Sequence, residues 1–140
     1  MNSVLKYRES LEKNERNVLA EMNGALRKLV NELEELEGEC SRAITIFNIE
    51  MAQGMGIPDI IASDLYIKSI ERSIDEKILE IKKQEKQVSR QTSVVIRATQ
   101  DTKTLDKLKE KRQIAYDFKE NKIQELFIEE FVSGQTVRQI

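Results

Sequence analysis

The chain has 140 residues, of which 39% are hydrophobic, 34% charged and 5% aromatic, and tryptophan and histidine are absent. This length corresponds to one domain, and this composition is typical of long helices and coiled coils, not of a thick globular core. The net charge of −2 argues against a nucleic-acid-binding protein, because contacts to phosphates need a basic excess. Without histidine the commonest general base and metal ligand is missing, so we expect no enzyme, no metal site and no cofactor.

The cysteine content and the hydropathy of the sequence indicate the cellular compartment of the protein. The single Cys40 excludes an internal disulfide and suits a reducing cytoplasm. We expect it to be a packed thiol, because it shares a helical stripe with Leu36 and Ala43. The first residues contain no long apolar core, so no secretory signal is expected. No run approaches the ~18–20 apolar residues of a membrane span.

The first predicted element is a helix over residues 4–53, which contain no proline. From Val18 onward its apolar residues recur at steps of three or four, the spacing that turns one stripe of a helix toward a partner. The predicted stripe consists of Leu11, Val18, Met22, Ala25, Leu29, Leu33, Leu36, Cys40, Ala43, Phe47 and Met51.

A turn is predicted over residues 54–62. This segment holds the only proline, Pro58, together with Gly54 and Gly56. Glycine permits a sharp reversal of the backbone, and the proline is expected to push Ile57 out of helical geometry. Ser63 or Asp64 is then the expected N-cap of the next helix.

The second predicted element is a longer helix over residues 63–132, ended by Gly134 and followed by a short tail over residues 133–140. Its stripe is predicted at Ile67, Ile70, Ile74, Ile78, Ile81, Glu85, Val88, Thr92 and Val95, and it continues less purely toward Leu126. The predicted fold is therefore all-α: an antiparallel two-helix coiled coil, or long α-hairpin, in a single domain. At 1.5 Å per residue the two helices would be roughly 75 Å and 105 Å long.

The charge pattern predicts the register of the two helices. A turn centred near Pro58 places the acidic residues 32–39 opposite residues 77–84, which contain Lys77, Lys82 and Lys83. In this register residues from Gln113 to Val132 extend beyond the first helix. Their apolar stripe, which includes Ile123, Phe127 and Phe131, has no partner within the chain and is expected to bind another protein.

Two segments of the second helix carry a family resemblance. The segment "YIKSIERSIDEK" (Tyr66–Lys77) and the downstream "LKEKRQIAYDFKENK" (Leu108–Lys122) resemble segments of the FliJ family of flagellar export proteins. Nearly the whole chain is similar to this family in length and in its order of shorter helix, loop and longer helix. The resemblance implies a non-enzymatic protein that resembles the stalk of rotary ATPases.

The resemblance also implies partners and a location. These are the hexameric export ATPase, the membrane subunit of the export gate and, in addition, export chaperones. The protein would be a cytoplasmic monomer, peripherally associated with the membrane at the flagellar base. By position, the residues expected to bind the gate are Tyr66, Ile70, Ser73 and Lys77, with Ile44, Phe47 and Met51 from the first helix. The residues expected to bind the ATPase ring are Leu11, Lys107, Lys109, Lys111, Arg112, Ile123, Phe127 and Phe131.

Other functions are compatible with the same sequence. One is a structural coiled-coil adaptor with no role in secretion. Another is the equivalent stalk protein of a virulence-type secretion system. The basic stretch around Lys107 and Arg112 could also be an ordinary solvated face, balanced by Asp106 and Glu110.

Overall fold

The structure, a computed structural model, describes the backbone of residues 2–139 and the side chains of residues 2–134. Two helices account for nearly all of it: α1 spans Asn2–Gln53 and α2 spans Ile57–Gln139. With 52 and 83 residues, they confirm the predicted all-α hairpin with a longer second helix. The described chain divides into two units, one formed by Lys13–Ile96 and the other by the two ends of the chain.

The turn is shorter than predicted, since only residues 54–56 are non-helical. Gly54 has a φ of 100°, a left-handed conformation that favours glycine, and its amide donates to the carbonyl of Met51 at 3.2 Å. The carbonyl of Gly56 accepts from the amide of Ile60 at 3.1 Å. Pro58 therefore lies within the first turn of α2, where its missing amide donor costs no helical hydrogen bond. The prediction that Ser63 or Asp64 caps α2 is wrong.

Within the unit Lys13–Ile96, the two helices pack through aliphatic layers. Ile67, Ile70, Ile81 and Val95 are buried on α2, and Cys40 is buried on α1 as predicted. Half-buried side chains complete the α1 stripe at Leu19, Met22, Leu26, Leu29, Leu33, Leu36, Ala43 and Phe47. The predicted stripe was thus offset by one residue at Val18 and Ala25, whose neighbours Leu19 and Leu26 face α2 instead.

Two glutamines interrupt the aliphatic stripe of α2. The side-chain amide of Gln84 donates to the carbonyl of Met22, and that of Gln91 donates to the carbonyl of Glu15, both at 3.0 Å. These two residues occupy the positions predicted for Glu85 and Thr92. Because each glutamine bonds a backbone oxygen, it can be buried without losing its hydrogen bonds.

The register differs from the one that charge matching predicted. Lys77 donates to Glu32 at 2.7 Å, whereas the predicted register placed it opposite Glu39. The difference is about two helical turns along α1. It arises because the turn lies before Pro58, and because packing of the aliphatic stripe outweighs exposed charge pairs, which contribute little energy. The expected pairing of Lys82 and Lys83 with the acidic run is accordingly wrong.

The terminal unit pairs the start of α1 with the middle of α2. Leu5 and Thr102 are buried there, and Leu105 is half-buried. Polar contacts join the same segments: Arg8 lies 3.7 Å from Asp101. The hydroxyl of Thr99 donates to the carboxylate of Glu12 at 3.0 Å.

Beyond Leu105 every described side chain of α2 is exposed, through residue 134. We call residues 106–134 the terminal stretch. It begins about two turns earlier than the predicted Gln113, which follows from the shift in register. The helix also continues past the predicted end at Val132, to Gln139, because Gly134 adopts ordinary helical geometry. The predicted tail over residues 133–140 is therefore wrong for residues 133–139, and Ile140 lies outside the described residues.

Candidate functional site

Ile70, predicted as an exposed anchor beside the turn, is the most buried hydrophobic residue described, with 4% of its surface exposed. It lies three residues from the buried Ile67, on the stripe that packs against α1. Its predicted place on the packed stripe of α2 is confirmed, whereas the expectation that it binds the gate as an exposed side chain is wrong. Its side chain stabilises the hairpin and reaches no partner while the helices are packed.

Tyr66 is half exposed, and its hydroxyl donates to a carboxylate oxygen of Glu39 at 2.8 Å. This hydrogen bond, together with the nearby negative charge, raises the pKa of the Tyr66 phenol. Its ring lines a shallow groove between the helices with Ala43, Ile46 and Phe47. Tyr66 therefore presents an aromatic edge beside an aliphatic side chain, the make-up of a small binding surface.

Ser73 and Lys77, also predicted to bind the gate, make contacts within the hairpin. The Ser73 hydroxyl donates to the carbonyl of Ser69 at 3.1 Å. Lys77 is partly covered and lies 2.7 Å from Glu32 and 3.5 Å from Glu80. The hydrogen bond between Lys77 and Glu32 lowers the pKa of Glu32 and raises the pKa of Lys77. The arrangement makes Lys77 a link between the helices.

The predicted residues of α1 have mixed exposure. Ile44 and Met51 are exposed, while Phe47 is half-buried on the stripe that faces α2. The structure adds exposed aliphatic side chains that were not predicted: Ile46, Ile49, Ile57, Ile61 and Leu65. The last three recur at steps of four along α2. This spacing of four is visible in the sequence, but it was not used because residues 54–62 were predicted to form a turn.

The residues predicted to bind the ATPase ring lie in the terminal unit. Leu11 is half-buried. The other members are exposed: Lys107, Lys109, Lys111, Arg112, Ile123, Phe127 and Phe131. In the terminal stretch, the polar contacts that join side chains lie within the helix, as between Tyr116 and Glu120 at 3.0 Å and between Gln113 and Asp117 at 3.1 Å. The terminal stretch thus presents uncovered apolar and basic side chains together.

These surfaces are open, and binding is the chemistry that they support. Among the described residues, no group of carboxylate and thiol side chains is arranged to hold a metal ion. Within residues 2–139, neither helix contains a segment apolar enough to cross a membrane.

A comparison with protein families shows the family to which the chain belongs. The family model described as flagellar FliJ protein matches residues 1–139. The chain belongs to the FliJ family. This family is a non-catalytic component of flagellar protein export, and the family resemblance predicted from the sequence is confirmed over residues 1–139. Searches among curated proteins and solved structures found no match.

Proposed function

We propose that this FliJ-family protein binds the flagellar export ATPase through its terminal unit and the membrane export gate through the side chains beside the turn, and thereby supports ATPase activity and protein export. The match to the family over residues 1–139, together with the uncovered terminal stretch, is the observation that carries the proposal. The family description favours a flagellar role over a virulence-type system or an unrelated adaptor.

The terminal stretch suits insertion into a ring because it is a single helix whose sides are all exposed. Phe127, with 71% of its surface exposed, and Ile123 supply apolar area that a partner would remove from water at about 25 cal/mol per Å². Lys107, Lys111 and Arg112 would attract an acidic lining and speed association. Salt should weaken this attraction, since exposed charges are screened within about 10 Å.

The ATPase contact is tested by truncation. A chain ending after Arg112 should lose its stimulation of the export ATPase while keeping its hairpin, because no side chain beyond the half-buried Leu105 is covered among the described residues. The matched control ends after Gly134, which retains the whole terminal stretch, and should stimulate fully. Full stimulation by the shorter chain would reject the assignment.

The gate contact is proposed for the exposed part of the predicted set: Tyr66, Ile44 and Met51, with Ile46 added. Truncation of a true anchor typically costs ≥2 kcal/mol, which is about thirtyfold in affinity. We therefore expect Tyr66→Ala combined with Ile46→Ala to weaken binding to the gate by about thirtyfold. ATPase stimulation should persist, since neither residue belongs to the terminal unit.

Two control variants separate docking from packing at this site. Tyr66→Phe removes the bond to Glu39 but keeps the ring, so gate binding should survive. Tyr116→Ala removes an exposed tyrosine from the terminal stretch, and should leave gate binding unchanged. Equal losses for Tyr66→Ala and Tyr116→Ala would show that the residues beside the turn have no special role. Export chaperones remain a further proposed partner, and the same binding assay with purified chaperones tests it.

A further inference from the structure

The terminal stretch has an uncovered apolar face that continues the stripe on which Leu105 is half-buried. Tyr116, Ile123 and Phe127 lie within about 40° of one another around the helix axis, at steps of seven and four residues. All three are exposed. An apolar stripe of this length favours a helical partner with a matching stripe.

Charge is divided unevenly along the same stretch. Its first part, residues 106–112, carries four basic residues, Lys107, Lys109, Lys111 and Arg112, and two acidic residues, Asp106 and Glu110, so its net charge is +2. Its last part carries the acidic residues Glu125, Glu129 and Glu130. Among the described side chains, none of the four basic residues of the first part or the three acidic residues of the last part forms an ion pair within the chain. The stretch is therefore basic at one end and acidic at the other, with both charges available to a partner.

A helix with this pattern is complementary to a second copy of itself in antiparallel orientation. A two-fold axis near residue 120 places the basic part of each copy opposite the acidic part of the other. The same axis brings Ile123 of one copy beside Tyr116 of the other, and Phe127 beside Arg112, where a cation–π contact is favourable. A parallel pair would place like charges together, which disfavours it.

We infer that the terminal stretch is a self-association surface, on which two copies of this chain pair as an antiparallel coiled coil over residues 106–134. The overlap is about 40 Å of helix at 1.5 Å per residue. An interface of this size is small, so the dimer should dissociate at roughly micromolar concentration. The inference does not depend on the proposed export partners, because both contacting surfaces belong to this chain.

Reversal of charge provides the first test, by sedimentation of the full chain up to roughly 200 μM, above the range expected for a small interface. One variant replaces Lys107, Lys109, Lys111 and Arg112 by Glu, and the other replaces Glu125, Glu129 and Glu130 by Lys. Each variant alone should be monomeric, because the first part of one copy and the last part of the other, which lie opposite each other, would then carry the same sign of charge. An equimolar mixture should dimerise again. Unchanged helix content by circular dichroism confirms that the variants fold.

The orientation of the pair is measured with spin labels, in a Cys40→Ser background. A label at Glu120→Cys lies near the two-fold axis, so the two copies should give a short distance, below about 20 Å. A label at Lys109→Cys lies about eleven residues from the axis, and should give about 33 Å. A parallel pair would give short distances at both sites.

Three results would overturn the inference. The first is a wild-type chain that stays monomeric at the highest concentration. The second is a dimer that persists in each charge-reversed variant alone, which would locate the contact elsewhere, for example on Ile57, Ile61 and Leu65. The third is a short distance for both spin labels.

Discussion

Two stripes of α2 follow the same sequence pattern and have opposite burial. Near the start of the helix, Ile67, Ile70 and Ile81 recur at steps that keep one face together, and each is at least nine-tenths buried. Near its end, Ile123, Phe127 and Phe131 recur in the same way, and each is at least 60% exposed. The spacing of apolar residues therefore shows which face of a helix is apolar, but it does not show whether that face is covered.

The difference follows from the lengths of the two helices. α1 has 52 residues and α2 has 83, so the turn at residues 54–56 leaves the last part of α2 without a partner helix. A covered stripe contributes to folding through burial, whereas an uncovered one is available for association. The first stripe should thus govern stability, and the second should govern binding.

The largest expected effect is on the free energy of unfolding, and it compares one substitution in the buried stripe with one in the exposed stripe. Ile70→Ala should lower the free energy of unfolding by about 2–4 kcal/mol, because it removes a buried side chain and leaves a cavity. Phe127→Ala removes a larger side chain, but should change stability by less than about 0.5 kcal/mol, because the ring is exposed. Chemical denaturation followed by circular dichroism measures both at low concentration, where self-association is absent. Comparable losses for the two variants would contradict the division between stripes.

The sequence was sufficient to predict the helices, the hairpin and the uncovered end, but not the register. The reversal of the chain was predicted from Gly54, Gly56 and Pro58. A proline, however, can lie either inside a turn or in the first turn of a helix. Taking the first option moved the register by about two turns. Ile70 was expected to bind the gate by its position in the family resemblance, although its place on the predicted stripe indicated the burial that the structure shows. The half-buried Gln84 and the buried Gln91 were also missed, because a polar residue gives no sign of its burial until its partner carbonyl is known.

The next prediction concerns the two glutamines that interrupt the covered stripe of α2, and it tests what their hydrogen bonds contribute to stability. Gln84→Leu with Gln91→Leu replaces hydrogen-bonded amides by apolar side chains that pack against α1. We expect the double variant to be more stable by about 2 kcal/mol, since a net hydrogen bond contributes only about 1 kcal/mol and apolar burial exceeds it. The distance distribution between spin labels on the two helices should broaden, because an all-apolar stripe specifies its register less well.

The control for this pair is Gln113→Leu with Gln124→Leu, which changes two exposed glutamines in the terminal stretch. Stability should be unchanged there, because no helix covers those positions. A loss of stability in the Gln84 and Gln91 variant would show that the bonds to the carbonyls of Met22 and Glu15 outweigh apolar burial.

A smaller effect is expected from glycines within the helices. A Cβ atom added to Gly24 would meet open space, and this residue lies in the unit Lys13–Ile96. Gly24→Ala should therefore stabilise the hairpin by about 0.5–1 kcal/mol through helix propensity.

Gly134→Ala is the control, because an added Cβ atom also meets open space there but the residue lies in the terminal stretch. It should raise helix content there without moving the cooperative unfolding transition. A shift of that transition would mean that the terminal stretch folds together with the covered layers.

The smallest expected effect concerns the ion pair between Lys77 and Glu32, which links the helices in the covered part. The pKa of Glu32 is lowered from its ordinary value near 4.5 in the folded protein, chiefly by its hydrogen bond to Lys77. A lowered pKa means that the contribution of Glu32 to stability is fully present above the unfolded value. It is lost as the pH falls through the lower, folded value. Glu32→Gln should therefore melt slightly below the wild-type protein at pH 7, by less than half the shift caused by Ile70→Ala, and the gap should close as the pH falls through the lowered pKa of Glu32. Glu120→Gln, in the terminal stretch, removes a carboxylate bonded only within its own helix, and should show no such pH-dependent gap in the cooperative transition. If the two variants showed the same pH-dependent change in melting temperature, the ion pair between Lys77 and Glu32 would contribute no more to stability than a contact within one exposed helix.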